Sequence, residues 1–78
     1  MNSSGSLPLF ERSCQEVLEK LKGDEGHTAG AMRIEAEELL RVLATWKKDL
    51  PPAEARATRV REVMDLYGRM LAYVAHKS

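Results

Sequence analysis

Two long registers of apolar residues, each stepping by three and four, stand on either side of the dipeptide Pro51-Pro52, and this pattern leaves the chain little choice of fold. The upstream register is Ala29, Met32, Ala36, Leu39, Leu43, Trp46 and Leu50. The downstream one is Ala53, Ala57, Val60, Met64, Tyr67, Leu71 and Val74. Alternating steps of three and four lay side chains on one stripe of an α-helix, and when sustained they form a heptad seam. A residue before proline avoids the α region, and Pro52 lacks the N–H that a continuing ladder needs, so one helix must end here and another begin. The predicted helices span about 28–48 and 52–76. Thr28 is the expected N-cap of the first, and Pro52 at N1 with Glu54 at N3 opens the second. The turn between them is short, which makes them antiparallel neighbours.

A shorter stripe lies upstream, at Leu7, Phe10, Cys14, Val17, Leu18 and Leu21, and predicts a helix over about 7–22. Pro8 fits its first turn, and Gly23 follows as a left-handed C′ residue. Residues 23–27 read as a connection. Residues 1–6 are polar and rich in Gly and Ser, so they are expected to be a disordered tail, with 7–78 forming a single helical domain.

The last helix also carries Val63, Leu66, Met70 and Tyr73 beside its seam. Its apolar arc then spans about half the circumference, more than the roughly 100° stripe of a helix with one partner. It needs two neighbours. The fold expected is therefore all-α, an up-down-up three-helix bundle built on a long antiparallel hairpin. The first helix, ~24 Å long, is shorter than hairpin helices of ~32 and ~37 Å. It is expected beside the start of the second helix and the end of the third, leaving the Pro51-Pro52 tip bare.

Composition narrows the function classes. Twelve basic and twelve acidic residues give no net charge, which disfavours a polyanion as main partner. No apolar run reaches the ~18 residues of a membrane span, and the opening residues lack a basic and apolar leader pattern, so a cytoplasmic location is expected. Cys14 is the only cysteine, which excludes an internal disulfide. It lies on an apolar stripe and reads as a core residue rather than a nucleophile. His27 and His76 are far apart and have no second His or Cys at ligand spacing, so no metal or other cofactor is expected. No carboxylate or histidine arrangement points to catalysis, and no small-molecule substrate is indicated.

What remains is a surface. Trp46, the chain's only tryptophan, stands near the tip with Leu50 and Val60. It can lid its own hairpin against small alanines, or it can anchor a partner. Lys47, Lys48, Arg56, Arg59 and Arg61 gather around the same tip, against Asp49 and Glu54. The early arginines of the last helix oppose the helix dipole, which suggests that an anionic surface holds them there. Ile34 and Val42 point away from the seam and form a secondary candidate surface. In outline, such a hairpin resembles the small helical chaperones and co-chaperones of bacterial secretion systems, a likeness of architecture that involves no shared motif. The reading is a non-enzymatic protein–protein interaction module, an adaptor, chaperone-like protein or regulatory subunit that binds a partner helix or a second copy. The alternative is a small nucleic-acid-associated regulator that uses the basic tip.

Overall fold

The computed structural model describes residues 7–77; the expectation of a disordered tail concerns residues outside that range. Three helices follow in order, α1 (Leu7–Lys20), α2 (His27–Trp46) and α3 (Ala53–Lys77). They pack as an all-α, up-down-up bundle in which every pair is in contact, α1 lying against both others.

The ends of the helices follow the chemistry of their residues. Leu21 N–H donates to the Val17 carbonyl, and Gly23, at φ 83°, turns the chain out of α1. A side chain at that φ is strained, so glycine closes the helix as the sequence implies. The start of α2 differs from expectation. Gly26, not Thr28, occupies the N-cap, and its N–H donates to Asp24 Oδ1 at 2.8 Å. The aspartate two residues earlier organises the turn, so a hydroxyl cap is not needed. At the tip, Arg56 N–H donates to the Pro52 carbonyl, which makes Pro52 the residue before the first helical one.

The seam of α2 is buried as read, from Ala29 and Met32 through Ala36, Leu39 and Leu43 to Trp46. So is the centre of the α1 stripe, at Cys14, Val17 and Leu21. In α3 the inward face is the neighbouring register, and this corrects the sequence reading. Val63, Leu66 and Met70 are buried; of the expected seam, Tyr67 and Val74 are partly buried against the core, whereas Met64 and Leu71 are 63% and 45% exposed. The two registers lie about 100° apart on a helix advancing 100° per residue. α1 and α2 together select the first.

The position of α1 is the second correction. It does not sit only at the far end of the bundle. Arg33, about two turns into α2, donates from Nη1 to the carbonyls of Leu21 at 2.6 Å and Asp24 at 2.7 Å. A cation that satisfies carbonyls at a helix C-terminus also suits the dipole. This tie sets the end of α1 level with the interior of α2 and carries its beginning towards the tip. There Glu11 pairs with Lys47 at 3.2 Å. Pro51-Pro52 is therefore flanked by α1.

A polar clamp closes the opposite end. Asp24 Oδ2 accepts from Tyr73 Oη at 3.0 Å and Lys77 Nζ at 2.8 Å, so the α1–α2 connection is bound to the end of α3. The hydrogen bond from Lys77, then that from the Gly26 N–H, hold this carboxyl below its usual 3.8, at about 2. A depressed carboxyl contributes stability that is complete above its unfolded value and lost as pH falls through its folded one. Thermal melts of the wild type and Asp24→Asn should accordingly differ most above about pH 5 and converge by about pH 2. A constant difference across that window would show that the Asp24 charge does not fasten the loop.

Candidate functional site

At the tip, α1 begins, α2 ends and α3 begins, and the three do not close on one another. They enclose an open groove of about 670 Å³. Leu7 and Phe10 form one wall, Trp46 and Leu50 another, and Ala53, Ala57 and Val60 the third. The small side chains of α3 explain the hollow, because alanine at the first two seam positions leaves the tryptophan no bulky residue to meet. Trp46 itself is only 8% exposed, as in the first of its two readings, while Leu50 beyond it is 51% exposed. The floor of the groove is core and its lip is accessible.

Polar groups ring this apolar hollow. Lys47 and Lys48 line it from α2 and Arg56 from α3. Lys47 is drawn to Glu11, and Arg59 is turned to Glu62 at 2.9 Å, so two of the expected tip cations have counter-charges within the chain. The Arg59–Glu62 pair is exposed on both sides and contributes little to stability, and Lys47 reaches Glu11 from solvent. Among the described residues, Lys48, Arg56 and Arg61 have no ion pair. Arg56 is distinctive. Its side chain is partly sunk in the groove wall, and its Nε is buried with no hydrogen-bond acceptor. Buried donors are almost always satisfied, and an orphaned one costs about 1–3 kcal/mol.

The groove does not end at Val60. A shallower depression shares Ala57 and Val60 with it and continues past Arg61 to Met64 and Asp65. Leu71 lies two turns beyond Met64 at similar azimuth. Of the α3 seam expected from spacing, Met64 and Leu71 are thus exposed apolar residues leading away from the tip, while Tyr67 and Val74 are partly buried against the core. No family model, curated protein or solved structure matches this chain. What the site can do must be read from its own residues.

The secondary surface is reorganised. Ile34 is exposed on the back of α2, but Val42 is half-buried and packs against the core, beside Arg59 and Glu62 of α3. The two do not form one face, because Val42 lies about 80° round the helix from Ile34, on the side that meets α3. Other groups that could carry chemistry are occupied in structure. Cys14 is enclosed in the core, where burial and then the charge of Glu11 push its thiol up to about 11, far from a reactive thiolate. Tyr67 donates to Glu16 at 2.9 Å, and Arg69 bridges Asp65 and Glu35, both at 2.8 Å. Among the described residues, no group of three or more His, Cys, Asp or Glu is placed to hold a metal ion. No described helix is long and apolar enough to cross a membrane.

Sequence reasoning located Trp46, Leu50, Val60, Lys47, Lys48 and Arg56 in what is one groove. It missed the contribution of α1. Leu7 and Phe10 were legible only as members of an amphipathic stripe, and nothing in their spacing says that they reach the tip.

Proposed function

We propose that this protein is a non-enzymatic docking module that receives a helix of a partner protein in the groove at the hairpin tip and along the outer register of α3. One observation carries the reading: an apolar hollow floored by Trp46 adjoins, through Ala57 and Val60, a shallower depression that reaches the exposed Met64. An amphipathic helix laid in a hydrophobic groove engages anchors at i, i+3, i+4 and i+7, and the spacing Val60, Met64, Leu71 presents the complementary rows. A hollow of this size accepts one large apolar side chain as the anchor, with smaller contacts along the track. Adaptor, chaperone and regulatory subunit are all roles that such a surface serves. A nucleic-acid partner would depend on the same rim, and the pairing of Lys47 with Glu11 and Arg59 with Glu62 weakens that alternative.

The test is site-specific photo-crosslinking of the full chain in cells, with the photoreactive residue at Leu50, Met64 or, as control, Glu37 on the back of α2. One protein should be joined from Leu50 and Met64 but not from Glu37. That protein, once purified, should bind the wild type and lose binding to Val60→Glu. Equal labelling from Glu37, or binding that survives Val60→Glu, would sink the docking assignment.

A further inference from the structure

We infer that the partner segment is an acidic amphipathic helix, whose carboxylates lie over Arg56, Lys48 and Arg61 while its apolar face fills the groove. This rests on the docking reading and adds the chemistry of the occupant. Three observations point the same way. The cations lining the groove and its extension that lack an ion pair among the described residues are Lys48, Arg56 and Arg61, so the open face of the site is positive although the chain as a whole is neutral. Arg56 lines the groove with no ion pair among the described residues and with its Nε buried without an acceptor, so a carboxylate laid on the groove supplies the counter-charge that its guanidinium lacks. The groove also abuts the start of α3, whose first-turn N–H groups and dipole favour negative charge.

A second copy of the chain suits the site less well. Docked in parallel through the same register, it would set Arg56 and Lys48 against their own counterparts. Docked antiparallel, it would bring the end of α3 to the partner's tip, where Lys77 is already paired with Asp24 of its own chain and, among the described residues, no side-chain carboxylate is free to meet Arg56. The first sets like charges against each other, and the second supplies no side-chain carboxylate from the last turns of α3. A separate acidic helix avoids this.

The experiment uses the full chain and two fluorescently labelled peptides with one shared apolar pattern, Leu or Trp at i, i+3, i+4 and i+7. One carries Glu and the other Lys at the flanking positions. Anisotropy titrations should show the Glu peptide binding at least about tenfold more tightly than the Lys peptide, and losing about tenfold in affinity to Arg56→Gln. Lys48→Glu, at an exposed site where folding is not at risk, should weaken it similarly. Adding salt to about 0.5 M should reduce the difference between the peptides. If both peptides bind equally and Val60→Glu abolishes both, the groove docks helices without regard to charge; the inference then fails and the docking reading stands. If neither peptide binds, the inference fails. Sedimentation of the unlabelled chain covers the remaining occupant: a dimer that dissociates on Val60→Glu assigns the groove to a second copy and overturns the proposal. Displacement of the Glu peptide by a single-stranded oligonucleotide at equal concentration would overturn it in favour of a polyanion.

Discussion

Trp46→Ala is expected to cost about 3–5 kcal/mol of folding stability, the range for removing a large aromatic from a core. The indole closes the tip end of the core, where α1, α2 and α3 converge, and the alanines facing it from α3 are too small to fill the space it leaves. A domain of this size has on the order of 5 kcal/mol in total, so the variant should be extensively unfolded at physiological temperature. Far-UV circular dichroism during urea unfolding reads this directly, since the substitution removes the fluorescent probe. Trp46→Phe keeps an aromatic ring and should recover much of the loss. An unchanged urea midpoint for Trp46→Ala would mean that the indole is not part of the core, and the floor of the proposed groove would lose its basis.

The second large effect is a contrast between the two registers of α3. Leu66→Ala should cost about 2–5 kcal/mol, because Leu66 is fully enclosed by the other helices. Leu71→Ala, one and a half turns away on the exposed register, should stay within about 0.5 kcal/mol of the wild type. Both are leucine-to-alanine changes in one helix, so propensity cancels and only burial separates them. Comparable losses would show that α3 is rotated from the orientation described, and would restore the register expected from spacing alone. The contrast also bears on function: Leu71→Ala should weaken partner binding in a protein that remains folded, whereas Leu66→Ala should act through the fold.

The stability tests and the docking test read different parts of the same tip. Trp46 belongs to both, as core on one side and groove floor on the other, so a binding defect in its variants carries no weight unless folding is intact. Leu50, Met64 and Leu71 are exposed and free of that ambiguity.

Much of the architecture was legible in the residues themselves. The proline pair, the glycine after Leu21 and three apolar stripes specify three helices and their order. The inward face of α2 could be read from Ala29 to Trp46, because these residues keep one three-and-four spacing, although Val42 also packs inward and Leu50 falls beyond the helix. The candidate residues at the tip were identifiable too, as the only place where a tryptophan, small side chains and unbalanced basic charge coincide.

Two things were decided only by tertiary structure. α3 carries two adjacent apolar registers, and periodicity cannot rank them, since each satisfies the same three-and-four spacing. The choice falls to the helices that dock on it. The axial position of α1 follows from Arg33 reaching the carbonyls of Leu21 and Asp24, a contact between residues whose sequence separation implies nothing about their alignment. That shift brings Leu7 and Phe10 to the tip and builds the third wall of the groove. The chain thus determined by itself which surfaces are apolar; the packing of α1 determined which were consumed by the core and which were left to meet a partner.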